Sequence, residues 1–150
     1  MVGTVRIDRK KIPIVAGRML GARYNLYGLS PQEGFNCFSY VWYFYREVGL
    51  DIPDKFHGYT KENYLKKYIQ DPDAAKEIMF KYFRKLGDPV NINYIWPGDF
   101  VFIRDEEIVN AIYVGNGNFL TCDMRIGVIV VPRKRIKYDS MEAIRPCLKQ

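Results

Sequence analysis

The chain has 150 residues, of which 23 are basic and 17 acidic, giving a formal charge of +6, and 48% of it is apolar. A chain of that length suits one domain, residues 1–150, that buries about two-thirds of its unfolded surface, and the apolar content excludes wholesale disorder. The longest apolar runs, such as residues 127–131, have the length of a strand and exclude a membrane-spanning helix.

In chain order, the basic start at residues 1–11 is followed by an apolar stretch too short for the core of a signal peptide. Three cysteines, an odd number, fit a reducing compartment better than a disulfide framework. A cytoplasmic location is therefore the expectation, with delivery to a cell wall, for example by a phage particle, as the alternative. A helix is expected over residues 14–20, and after it comes the loop Gly21-Ala22-Arg23-Tyr24-Asn25-Leu26-Tyr27-Gly28.

The segment from Gly34 to Gly49 is the most informative. Asn36 is a favoured helix N-cap and Gly49 a favoured stop, so Cys37 falls in the first turn of a helix. The positive end of the helix dipole favours a thiolate there, which lowers the pKa of a would-be nucleophile. Taken alone, the residue equally fits a small buried hydrophobe. The spacing gives a core face of Cys37, Tyr40, Val41, Phe44 and Val48, and leaves surplus rings, Trp42 among them, to pack beneath neighbouring helices.

Residues 61–86 read as helical with a break at Asp71-Pro72, and in the second half Ile78, Met79, Tyr82, Phe83 and Leu86 keep helical spacing. Strands are expected over residues 99–103, 108–114, 118–122, 127–131 and 143–148, with Asn116-Gly117 as a type I′ hairpin turn. Helices first and an antiparallel sheet afterwards argue an α+β fold. Arg133, Lys134, Arg135 and Lys137 form a basic cluster that attracts anionic polymers through non-specific forces, and reads more simply as a solvated turn. No nucleic-acid motif accompanies it, and no Cys or His spacing suggests a metal site or a cofactor.

Four segments, Gly21 to Gly28, Asn36-Cys37, Trp96-Pro97-Gly98-Asp99 and Ile112-Tyr113-Val114-Gly115-Asn116-Gly117, resemble in order and spacing the NlpC-type cell-wall peptidases, a papain-like cysteine peptidase family. The resemblance covers roughly residues 12–123. It implies N-terminal helices packed on a C-terminal antiparallel sheet, Cys37 at the nucleophile position and Tyr24 beside it on the oxyanion side. The stretch 54–95 is longer than the family usually carries there. Its periodic apolar face favours a helical packing decoration over a moving lid.

The departures bear on function. Laying the family's Ile-Tyr-Leu-Gly on residues 112–115 puts the catalytic histidine position on Val109, and the third polar position on Thr121. Neither side chain can take a thiol proton near neutral pH. Alternation puts Val109 on one face of its strand and Asn110 on the other; a one-residue slip would turn Asn110 toward Cys37. The chain's one histidine, His57, lies in a segment with the composition of a connecting loop and is a weak candidate base. The favoured function is a degenerate relative that binds a peptide-like or cell-wall ligand or serves in interaction. The alternatives are an active cysteine peptidase or amidase with a rearranged base, and a basic module for anionic polymers.

Overall fold

The computed structural model describes residues 3–102, 110–136 and 141–149. The chain begins with a short strand β1 (Thr4–Arg6) and helix α1 (Ile12–Met19), where Pro13 occupies the first turn without loss of a hydrogen bond. The small hairpin β2 (Leu29–Ser30) and β3 (Gly34–Phe35) leads into α2 (Ser39–Glu47). A second hairpin, β4 (Lys55–Phe56) and β5 (Tyr59–Thr60), precedes helices α3 (Tyr64–Gln70) and α4 (Pro72–Arg84). The remaining strands are β6 (Gly87–Pro89), β7 (Phe100–Phe102), β8 (Asn110–Gly115), β9 (Asn118–Asp123), β10 (Gly127–Pro132) and β11 (Glu142–Lys149).

Among the described residues these strands form one antiparallel sheet in the order β1-β11-β7-β8-β9-β10, with β6 joined to β11. The expected break at Asp71-Pro72 separates α3 from α4, and the Asp71 carboxylate caps α4 by accepting from Ala74 N at 3.2 Å. Asn116 and Gly117 both take positive φ, 55° and 74°, as a type I′ turn requires. Strands β1 and β6 were not expected from the sequence. Each has only three residues, too few for periodicity to register, and both are held by pairing to β11.

The sheet has two covered faces. Phe100, Phe102, Ile112, Leu120, Val128 and Ile144 face the helices and join Tyr40, Val41, Phe44 and Val48 of the α2 segment in the main core. Val101, Ala111, Phe119, Val131 and Ala143 meet Ile136 and Met141 on the other face. Tyr45 is fully buried too, because its hydroxyl finds a partner in the Gly98 carbonyl at 2.9 Å. Trp42, left over from the core face, has the Lys61 ammonium 4.1 Å from its ring centre, and Lys61 itself is held by Asp54 at 3.0 Å.

The Asp99 carboxylate, just before β7, is buried and accepts from Arg145 Nε at 3.1 Å, Arg145 Nη2 at 2.9 Å and Trp96 N at 2.8 Å. Removing one partner of a buried pair strands the other charge, whereas an exposed pair contributes little. Arg145→Ala is therefore expected to cost about 3 kcal/mol in urea denaturation. Arg84→Ala, which breaks the exposed pair with Glu142, should cost under about 1 kcal/mol; equal losses in the two variants would contradict this account.

Candidate active-site cleft

Asn36 builds the turn that carries Cys37. Its Oδ1 accepts from Phe38 N and Ser39 N, both at 2.8 Å, while Ser39 Oγ accepts from Asn36 N at 3.0 Å, the reciprocal pattern of a capping box. Its Nδ2 donates to Leu26 O at 2.9 Å and ties the turn to the Tyr24 loop. Cys37 thus stands just ahead of helix α2, close to the place the sequence assigns it. Tyr24 makes a parallel bridge to Phe35 and packs with Cys37 against the main core.

The expected strand face requires correction. The alternation along β8 is as anticipated, but Ile112 and Val114 belong to the helix-side core while Ala111 and Tyr113 lie on the opposite side. Asn110 shares the face of Ile112, and its Nδ2 donates to Cys37 O at 3.1 Å. Its Oδ1 accepts from the Tyr40 hydroxyl. Val109 lies outside the described residues. The expectation carried its facing over from the family motif, whereas the face of β8 that the helices cover is the one with Asn110, Ile112 and Val114.

The same one-residue offset holds on β9. Thr121 does not present its hydroxyl to Cys37 but donates to Asn110 O at 2.8 Å, bracing β8. Cys122, expected only to fill space, lies on the helix side with its thiol donating to Phe35 O at 3.3 Å. Running the β8–β9 register on by two residues sets Asn110 opposite Cys122. Asn110 thus meets the Cys37 backbone, Tyr40 meets Asn110, and Cys122 lies on the same side of the sheet, while the Tyr64 ring lies 5.4 Å from that of Phe38, the residue after Cys37. Sequence reasoning missed Tyr64 and Cys122. The signal for Cys122 was alternation with Leu120; Tyr64 carried none.

His57 makes no described hydrogen bond to the Cys37 turn. It sits exposed at the tip of the β4–β5 hairpin with φ of 51°, its ring edge-on to Phe56 at 4.3 Å, and no hydrogen bond links it to Cys37 among the described residues. The exposed turn Arg133–Arg135 is a short 3-10 turn on the surface. Among the described residues no group of three His, Cys, Asp or Glu is placed to hold a metal ion.

The thiol itself behaves contrary to the helix-dipole expectation. Burial pushes the Cys37 pKa from its ordinary 9.0 up to about 11, and its own backbone hydrogen bond offsets only part of this. Dipole stabilisation at a helix start is on the order of 1 kcal/mol or less, too little to outweigh desolvation of an anion that no cation meets among the described residues. Burial likewise raises Cys122 to about 12, with the Cys37 thiol adding to the effect, and Tyr24 to about 12. All of these groups are neutral at pH 7.

A cysteine ahead of a buried helix, set against the strands of an antiparallel sheet, defines a papain-like α+β domain. The NlpC/P60 family profile matches residues 21–144, and the chain belongs to the NlpC/P60 family. Its fold is similar to that of an NlpC/P60 family protein from Bacillus cereus ATCC 10987, with TM-score 0.62 and 18% identity over 92% of this chain and 40% of that one. NlpC1 from Trichomonas vaginalis gives TM-score 0.64 and 17% identity over 95% of this chain and 45% of that one. The NlpC/p60 domain of the peptidoglycan hydrolase SagA gives 0.59 and 20%, covering 92% of this chain and 98% of the domain. The chain thus spans less than half the length of the first two proteins. A sequence comparison with curated proteins gives no match.

Because the folded-state pKa of Cys37 lies above its ordinary value, the folded state favours the protonated thiol. The resulting stability is fully present below about pH 9 and is lost as pH rises through about 11. Alkylation of Cys37 by iodoacetamide is accordingly expected to climb about ten-fold per pH unit from pH 7 to 10 without a plateau. A plateau below pH 8 would refute the absence of a cationic partner.

Proposed function

We propose that this NlpC/P60 domain binds a peptide of the peptidoglycan-stem type in the Cys37 cleft and does not hydrolyse it. The observation that carries this reading is the side chain that β8 presents to Cys37. Asn110 has no titratable group, and both ends of its amide are engaged, Nδ2 with the Cys37 carbonyl and Oδ1 with the Tyr40 hydroxyl. Thiol-dependent hydrolysis of an amide needs a group that takes the thiol proton and returns it to the leaving amine. An amide side chain cannot do so, and a thiol with a pKa near 11 is almost wholly protonated at pH 7.

The cleft nevertheless keeps what a binding site needs. It is partly open at Cys37 and Tyr24, and its wall is made of aromatic rings with hydroxyl, amide and thiol groups among them. Peptide chemistry is the reading its family membership supports, the SagA domain being part of a peptidoglycan hydrolase.

A purified peptidoglycan stem tetrapeptide distinguishes the outcomes. Amide resonances of residues 36–39 are expected to shift saturably on titration, while mass spectrometry of the mixture detects no cleavage, general acid–base catalysis alone being worth about 100-fold to 10,000-fold. Asn110→His, which sets an imidazole on the side of β8 turned to Cys37, is expected to raise alkylation of Cys37 at pH 7 by at least about ten-fold through ion pairing. Turnover by the unaltered chain that Cys37→Ala abolishes would make it a working peptidase, and absence of any shift would remove the peptide ligand.

A further inference from the structure

Tyr94 and Trp96 are 73% and 53% exposed, two large rings separated by one residue. Ile95 between them is extended, with φ of −70° and ψ of 148°, and packs against the core on the sheet's second face, so its two neighbours are turned outward. Single exposed apolar residues are ordinary, but this segment is also held in place. Trp96 N donates to Asp99 Oδ2 at 2.8 Å and Trp96 O accepts from Asp99 N at 2.9 Å, which fixes the tryptophan backbone. The Arg145 guanidinium lies 4.0 Å from the centre of the Trp96 ring, and is itself clamped by the buried Asp99 carboxylate and donates to the Tyr94 carbonyl at 3.5 Å. Taking an ion pair out of water is costly, and a well-packed apolar pair often serves stability as well. What this pair adds is a rigid support for an exposed tryptophan.

Arg9 brings the charge. Its Nε donates to the Pro97 carbonyl at 3.2 Å, and its Cζ lies 5.1 Å from the centre of the same Trp96 ring. Among the described residues its two Nη groups meet no acceptor, and neither Arg9 nor its exposed neighbours Lys10 and Lys11 enters an ion pair. The adjacent carboxylates are engaged otherwise: Asp8 accepts from the Lys10 backbone at 3.1 Å, and Asp99 is held by Arg145. The result is an aromatic platform with uncompensated positive charge at its rim. It lies toward the end of β8 away from Asn110, since Gly98 N donates to Tyr113 O at 2.7 Å and Tyr113 N to Asp99 O at 2.9 Å.

We infer that Tyr94, Trp96 and Arg9 form a docking surface for an acidic segment of a partner protein, one in which a carboxylate stands next to an apolar side chain. A guanidinium whose Nε is engaged still offers its paired Nη donors, which match the two oxygens of a carboxylate. With Arg9 over the Trp96 ring, a carboxylate bound there leaves the neighbouring side chain of the segment within reach of the indole. Trp, Tyr and Arg are the residue types that carry most of the binding energy at protein interfaces. Holding them in position before the partner arrives lowers the entropic cost of association. A bilayer surface fits less well, because insertion needs a bare apolar face, and two guanidiniums lie over this ring. The surface is separate from the Cys37 cleft and goes beyond the reading of that cleft as a peptide site.

The test titrates the whole chain, labelled with nitrogen-15, with the peptide acetyl-Asp-Leu-Glu-Leu-Asp-amide at physiological salt. The indole N–H signal of Trp96 is expected to shift and saturate, while that of Trp42, whose Nε1 is sealed from solvent, serves as the reference and stays in place. Arg9→Glu and Trp96→Ala are each expected to weaken binding at least about ten-fold by calorimetry, with little change in Tm because both side chains are exposed. Lys134→Glu makes the same change of charge on the other basic turn and should weaken binding less than about two-fold, since distant surface charges are screened. Equal losses in Arg9→Glu and Lys134→Glu, equal binding of the uncharged peptide acetyl-Asn-Leu-Gln-Leu-Asn-amide, or no saturable shift at Trp96 would overturn the docking surface. Binding to phosphatidylglycerol vesicles that Arg9→Glu abolishes, without any response to the acidic peptide, would overturn it in favour of a membrane contact.

Discussion

The hydrogen bonds of the buried Asn36 side chain hold the cleft together. One amide caps α2 by accepting from two backbone N–H groups and donates across to the Leu26 carbonyl, while the Asn36 backbone N–H donates to Ser39 Oγ. Helix, cysteine turn and Tyr24 loop are thereby fixed to one another. A side chain with a single oxygen at this position would satisfy the cap, but would leave the Leu26 carbonyl without its donor. Asparagine is the short residue that does both.

The electrostatics of the cleft are decided by a contest between two effects acting on one sulfur. A helix start offers an anion a stabilisation on the order of 1 kcal/mol or less, and burial among phenols, an amide and a second thiol opposes it more strongly. The outcome is a thiol pushed up to about 11. In a papain-like arrangement an imidazolium would reverse that balance. Here Asn110 on the facing strand donates to the Cys37 carbonyl and contributes hydrogen bonds without charge.

The order of elements was legible in the sequence. Periodicity, the Asp71-Pro72 break and the Asn116-Gly117 turn each rest on local backbone or side-chain preferences that tertiary contacts did not override. Cys37 and Tyr24 were legible for the same reason, since each belongs to a short segment with its own turn chemistry. The facing residues were not. Val109 and Thr121 were the positions a linear count selects, whereas Asn110 and Cys122 are those on the helix side of the sheet. A period of two turns an error of one residue into the wrong face, and no local pattern says which face of β8 the helices cover.

The sequence by itself determined the α+β class, the family resemblance, the capped helix behind Cys37 and the want of an imidazole in the strands, because these follow from residue type and short-range spacing. Only the tertiary structure decided that Asn110 meets Cys37, that burial outweighs the helix dipole at its sulfur, and that the Tyr64 ring packs against Phe38. Desolvation and strand facing depend on what surrounds a residue in space, and no local pattern encodes the neighbours that a chain brings together from 26 or 73 positions away.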